Sequence, residues 1–401
     1  MAERGLCRMA AWVVGVGVLL TSVGGAPAQE ANLKTYQTRY YVIHSDLETD
    51  TVREAAARLT AMAEEYHRRT KGFPGKIRER LPFYLVSTAE AYLEVGGRPG
   101  TAGLYTGNRL VALAAKQRGD DVWKTVQHEG FHQFSHTVIS SRLPVWVDEG
   151  LADYFGHAIW TGDGYVTGII PPERLRRVKA RIAAKQIRSF LEMIMMDREE
   201  WNRDIQGANY DQAWSMVHFL VHADGEKYQD AFAQFLNDVA GRRPWKLAFE
   251  RRFGRDVGAF QQRYEQWWSS QDEDPTRDKR ISAVVQTLTS FLARAFAQRQ
   301  KFDDTESFFQ AGRSGRLQMD PKQWLPPQLL EEALSDAAGL GAWSLNTERS
   351  RPRLSLARPD GTTFVGTFAL RAAQVSEVNV EITPPPAGPA TDQSADKLPP
   401  Q

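Results

Sequence analysis

Residues 128–132 read His-Glu-Gly-Phe-His, and Glu149 follows seventeen positions after the second His. On an α-helix, residues four apart stand one above the other on the same face, so His128 and His132 can present two imidazole nitrogens to one ion. Glu129 then falls beside that ion. From there its carboxylate can take the proton of a bound water whose pKa the metal lowers to about 7. This is the chemistry of amide hydrolysis.

A five-residue pattern is short enough to arise by chance, so the residues that follow it carry the decision. A catalytic zinc takes three protein ligands and keeps one position open, and Glu149 completes a His2Glu set. It lies in the run Trp146-Val147-Asp148-Glu149-Gly150-Leu151-Ala152-Asp153. Asp153, four residues on, shares a helical face with Glu149 and can accept a hydrogen bond from the outward ring nitrogen of a ligand His. One zinc ion is the expected cofactor, chosen over other transition metals on ligand type.

His-Glu-x-x-His followed by Trp-x-x-Glu-Gly-Leu-Ala-Asp resembles the gluzincin zinc peptidases, the peptidase-MA-like group that includes thermolysin and the membrane-alanyl-aminopeptidase branch, and within it secreted bacterial proteins of unassigned function. The resemblance is specific over roughly residues 123 to 153. It implies that His128, His132 and Glu149 bind zinc, that Glu129 is the general base, and that Asp153 orients His128. It also implies an α+β fold with a zincin-like catalytic core: a mixed sheet with an edge strand, an active-site helix and a helical lower lobe. In zincins the strand before the metal helix is the edge along which an extended substrate lies by strand addition, which assigns Arg109, Leu110, Val111, Ala112 and Leu113 to the cleft. Tyr210, at the start of a helical apolar pattern, is similar to the tyrosine that stabilises the oxyanion in the aminopeptidase branch. It reads equally as an aromatic side chain packing at a helix start. The Gly-x-Met-Glu-Asn segment of that branch is absent upstream, so its recognition of a free N-terminal amine does not carry over.

The elements that must hold these residues can be read from periodicity. Val122, Trp123, Val126 and Phe131 form an apolar stripe beside the two His, with Asp120 or Asp121 able to cap the helix. Gly130 costs such a helix about 1 kcal/mol relative to Ala, which points to close approach at its backbone. Pro144 suits the first turn of the Glu149 helix. Tyr40–His44 and Leu81–Ser87 read as strands around a helix over Thr51–Thr70, and Thr106-Gly107-Asn108 turns a hairpin between Leu104-Tyr105 and Arg109–Ala114. Residues 165–270 read as mainly helical. The segment Arg174–Arg188 is basic and reads as a solvated helix face. Beyond Pro275, helices over Arg280–Arg299 and Pro327–Ala338 precede a hairpin, Arg353–Ala357 with Thr363–Leu370, and a strand over Val378–Ile382.

The remaining histidines fit less well. His136 continues the four-residue spacing but lies about 12 Å along the helix from His128, too far for a shared ion, so it should face solvent or bond to backbone. His218 and His222 form another such pair with Phe219 in the place of a base. They read as satisfied inner-face residues, with His218 also placed to assist an oxyanion.

Arg4 and Arg8 precede the apolar run Met9–Leu20, and Ala26-Pro27-Ala28 offers a cleavage site before Gln29. Residues 1–28 therefore read as a secretory signal peptide, and the mature chain as a periplasmic or secreted protein without stable membrane insertion. The only cysteine, Cys7, lies in that leader. Lysine and arginine (50) balance aspartate and glutamate (49), with no long basic stripe, which excludes nucleic acid as the expected partner. The expected organisation is an upper α/β lobe with the metal helices (29–160), a helical lower lobe (161–275), a small C-terminal α+β accessory domain (276–383) and a disordered Pro- and Ala-rich tail (384–401). Two functions fit: a secreted zinc peptidase acting on a peptide or protein substrate, or a catalytically silent, metal-stabilised envelope scaffold. An intact Glu129 favours the first, since a structural zinc needs no base.

Overall fold

The computed structural model describes residues 33–69, 75–114, 119–140, 142–203, 207–348 and 350–385. The expected leader with its cut at Ala28, the tail beyond residue 385 and the side chains of Asp120 and Asp121 lie outside them. The fold is α+β, and the chain divides into two compact units between Ala283 and Val284.

The first unit begins with β1 (Lys34–Gln37), β2 (Tyr41–Ser45), α1 (Thr49–Arg69), β3 (Leu81–Val86), α2 (Ala89–Glu94), β4 (Gly103–Tyr105) and β5 (Leu110–Leu113). The strands form one mixed sheet in the order β1-β2-β3-β5-β4. β2, β3 and β5 run parallel, and β1 and β4 add antiparallel edges. The expected hairpin is present: Thr106 N donates to Arg109 O at 3.0 Å, and Gly107 takes φ +94°, a conformation that glycine adopts without a Cβ clash. Residues of β2, β3, β5, α1 and α3 (Gly119–Val138) interdigitate in one core, including Ile43, Phe83, Leu110, Leu59 and Val126.

The expected cleft edge is corrected here. β5, which holds Leu110, Val111, Ala112 and Leu113, pairs with β3 on one side and β4 on the other, so it has no free edge to offer a substrate. Arg109 sits in the turn and stacks its guanidinium 4.8 Å from the Tyr84 ring centroid. The free edge belongs to β4. The apolar run Leu-Val-Ala-Leu is buried through its first three residues, as an interior strand requires.

After α4 (Val145–Gly156) and a short hairpin of β6 (Ile159–Trp160) with β7 (Tyr165–Val166), helices complete the unit: α5 (Pro172–Ala183), α6 (Phe190–Met195), α7 (Arg198–Arg203), α8 (Ala208–Glu226), α9 (Gln229–Ala240), α10 (Trp245–Phe253) and α11 (Val257–Ser269). One apolar core joins α3 and α4 to these helices through Phe131, Phe134, Trp146, Trp214, Phe219, Tyr264 and Trp268, all at most 1% exposed. The expected metal helices and helical lobe therefore share a core.

The second unit contains most of α12 (Arg277–Ala297), α13 (Thr305–Arg313), α14 (Pro327–Asp336) and β8 (Ala342–Asn346), β9 (Arg353–Ala357), β10 (Thr363–Arg371) and β11 (Gln374–Thr383). Its strands form an antiparallel sheet ordered β11-β10-β9-β8. Leu354, Leu356 and Phe364 are fully buried, and Gly366 lies so close to Thr289 that a Cβ there would collide with its hydroxyl. No helix among the described residues is long and apolar enough to cross a membrane.

Candidate metal centre

Two helices build the site. α3 buries Val122, Val126, Phe131, Phe134 and Val138, which leaves the His128–His132 face turned to α4. α4 is buried in all its residues but Asp153, as expected for a helix apolar on every side, here one that also carries three carboxylates. Pro144 precedes its first helical residue, and the Pro144 carbonyl accepts from Val147 and Asp148. A Cβ on Gly150 would stand 2.6 Å from Ala213 O, so α4 and α8 approach at a distance only glycine permits. Gly130 has no such reason: a Cβ there would meet only ordinary contacts at 3.9 Å, from Leu110 and Tyr66, which corrects the expectation of close approach at its backbone.

Three ligand atoms converge between these helices. His128 Nε2 and His132 Nε2 are 3.2 Å apart, and Glu149 Oε2 lies 3.4 Å from the first and 3.5 Å from the second. Atoms bound at 2.0–2.1 Å to a tetrahedral ion stand about 3.4 Å from one another, so the triangle has the dimensions of one face of such a coordination sphere. Among the described residues this is the one group of three or more His, Cys, Asp or Glu that could hold a metal ion.

A carboxylate stands near the outward ring nitrogen of each histidine. Nδ1 of His128 lies 3.0 Å from Asp153 Oδ1, and Nδ1 of His132 lies 3.2 Å from Asp148 Oδ1. With hydrogen on each Nδ1, both Nε2 lone pairs point inward, an arrangement that a shared cation satisfies. The residues present fit a divalent ion with an open fourth position.

Arginines neutralise the outer carboxylates. Arg174 bonds Asp153, donates to Asp211 Oδ1 at 2.9 Å and to His157 Nε2 at 3.0 Å, and stacks over Trp214. Arg198 donates to Glu149 Oε1 at 2.6 Å and to Asp148 Oδ2 at 3.2 Å. Burial opposes charge on His128, Asp148, Glu149 and Asp153, but their partners win. Hydrogen bonds to Asp153 and Glu149 raise His128 to about 9, and the two histidines lower Glu149 to about 2. Asp148 and Asp153 are held below the usual carboxylate range, the first chiefly by His132 and the second chiefly by Arg174.

Glu129 accepts a 2.8 Å hydrogen bond on Oε2 from the amide of Tyr105, the last residue of β4. The expected base is thereby tied to the free edge strand. Tyr210, in the first turn of α8, is half-buried and packs edge-on against Trp201 with centroids 5.0 Å apart. Burial and then the charge of Glu149 raise its pKa, with Asp153 adding to the effect, so the phenol lies within the field of these two carboxylates.

Of the remaining histidines, His218 departs from expectation, whereas His222 is satisfied as expected. His136 is part-exposed, and it also meets a carboxylate and a ring: its Nε2 is 3.7 Å from Asp148 Oδ2 and its ring packs edge-on against Tyr105. His218 is fully buried between Tyr154 and Trp214, and among the described residues neither ring nitrogen has a hydrogen-bond partner, so it is not satisfied there. Burial holds it far below its ordinary pKa. His222 meets Tyr154 OH at 3.1 Å and is lowered to about 3, first by burial and then by Lys279 and Arg69.

Asp148, Arg174 and Arg198 were not among the residues expected from sequence. Arg174 belongs to the basic run that the sequence presents as a solvated face, yet its side chain is 8% exposed. The signal was its neighbour: Leu175 and Val178 set the buried side of α5, and Arg174 shares it.

Residues 122–246, which contain most of α3, all of α4 and the helices up to the start of α10, match a family described as "Protein of unknown function (DUF1570)". No curated protein and no solved structure matches the chain. The part of the chain similar to that family is therefore the part that holds His128, His132, Glu149 and both arginines behind them.

Proposed function

We propose that the protein is a secreted zinc peptidase of gluzincin type, built on a zincin-like core. The observation that carries the reading is the ligand triangle with a separate carboxylate behind each histidine; Glu129, next in the chain to His128, is the base that this reading assigns. His128, His132 and Glu149 would hold the ion. A zinc in that place supplies Lewis acidity and a water of pKa about 7.

The chain's own groups then have definite work. Tyr105 N–H holds Oε2 of Glu129, which leaves Oε1 to take the proton of the attacking water and pass it to the leaving amine. The Tyr210 phenol donates a hydrogen bond to the developing oxyanion, an interaction worth a few kcal/mol in comparable sites. The free edge of β4 pairs with an extended peptide, in place of the Arg109–Leu113 strand.

The experiment compares purified protein with Glu129→Gln and Tyr210→Phe on casein and a peptide library, with bound zinc measured in each. Loss of cleavage with zinc retained in Glu129→Gln is the expected result. Cleavage unaffected by that change, or a wild type that binds no metal, overturns the reading. A zinc-loaded but inactive wild type would instead indicate the silent scaffold.

A further inference from the structure

We propose that Arg198 is a positioning residue that confines Glu149 to coordination through one oxygen; the inference rests on the metal-centre reading above. A carboxylate can bind a metal through one oxygen or two. Two-oxygen binding by Glu149 would fill the position that a catalytic site must leave open for water. The two oxygens of Glu149 are already divided: Oε2 faces the histidine nitrogens at 3.4 and 3.5 Å, whereas Oε1 receives Nη1 of Arg198 at 2.6 Å. A charge-assisted hydrogen bond of this length is about twice as strong as a neutral one and holds Oε1 turned away from the ligand triangle.

The second arm of the same guanidinium reaches Asp148 Oδ2 at 3.2 Å, and Asp148 Oδ1 backs His132. One side chain on α7 thus fixes both a ligand oxygen and the carboxylate behind another ligand. The planar fork of arginine spans the two acceptors, which a single ammonium does not. Arg174 supports Asp153 in a related way but bonds no ligand oxygen, so the two cations have different roles. The exposure pattern agrees: the Arg198 side chain is 51% exposed while Glu149 and Asp148 are 7% and 3% exposed. Holding a long, solvated side chain in one geometry is entropically unfavourable, and its anchor is a pair of buried oxygens, one of which, Glu149 Oε1, would otherwise be free to turn toward the ion.

The test loads the purified protein with cobalt(II), whose visible absorption is intense in four-coordinate sites and weak in five- or six-coordinate ones. Wild type should show the intense bands. Arg198→Ala should bind cobalt with severalfold weaker bands, and Arg198→Met, which keeps an aliphatic stem without the charge, should do the same. Arg198→Lys, able to engage Oε1 but not both acceptors, should fall between. Wild-type band intensity in the Ala and Met variants overturns the inference. A wild type that takes up neither cobalt nor zinc overturns the metal centre itself, so the two failures are distinguishable.

Discussion

Asp148 Oδ1 stands 3.2 Å from His132 Nδ1, on the far side of the imidazole from the nitrogen that meets Glu149. Adjacent residues of α4 thereby grip the same ring from opposite edges. Asp148→Asn keeps the shape of that contact and removes its charge, so metal affinity should fall by about 10- to 100-fold, as for other outer partners of metal-bound histidine. Asp153→Asn should act alike through His128. Chelator competition measures both, and wild-type affinity in either variant would show that the carboxylate does not hold its ring.

Removing the metal should loosen the fold as well as the site. The ligands come from two helices that share the main core, so an ion bound only by the folded chain stabilises it by RT ln(1 + [L]/Kd), about 2.7 kcal/mol at a hundredfold excess over Kd. Thermal unfolding with and without a chelator checks this. An unchanged midpoint would mean that the ion is not coupled to folding.

The two glycines should respond in opposite directions. Gly150→Ala forces a Cβ to within 2.6 Å of the Ala213 carbonyl and should cost about 1–3 kcal/mol as α4 and α8 separate. Gly130→Ala meets only van der Waals contacts and should stabilise α3 by about 0.5–1 kcal/mol. Denaturant midpoints of the two variants decide; a loss at Gly130 would reveal a constraint on its backbone.

Acid should weaken the helical core through His218. Its folded pKa lies far below the unfolded value of about 6.5, so below that pH the unfolded chain binds the extra proton and stability falls with pH. His218→Phe removes two unpartnered buried nitrogens from an aromatic pocket. The variant should gain more stability over wild type at pH 5 than at pH 7.5. Urea unfolding at the two pH values tests this, and a gain equal at both would exclude His218 as the titrating group.

The site was legible where chemistry follows local spacing. His128 with His132, and Glu149 with Asp153, are each four apart on a helix, so one rule places each pair on a face. Asp148 follows no such rule, because it serves the other side of a ring whose residue sits sixteen positions earlier. Arg174 and Arg198 reach α4 from helices beyond it, and only the fold shows which cation meets which carboxylate. The hairpin was readable from Thr106-Gly107-Asn108, but the arm that pairs with β3 is a long-range fact. The continuous apolar run of β5 was the available sign that it is interior, against the mixed and shorter β4. The packed helical lobe was visible as aromatic periodicity, whereas the unpartnered nitrogens of His218 depend on neighbours from α4 and α11 that no periodicity reveals.

The cations behind α4 also limit what can be transplanted. His128, His132 and Glu149 lie within one short stretch of chain, yet the groups that restrain their carboxylates come from residues 174 and 198. Grafting the stretch from 122 to 156 onto another scaffold would carry every metal-binding atom and leave buried acids without counter-charge. Such a graft should ionise poorly and bind weakly, so a usable portable unit extends at least through α7.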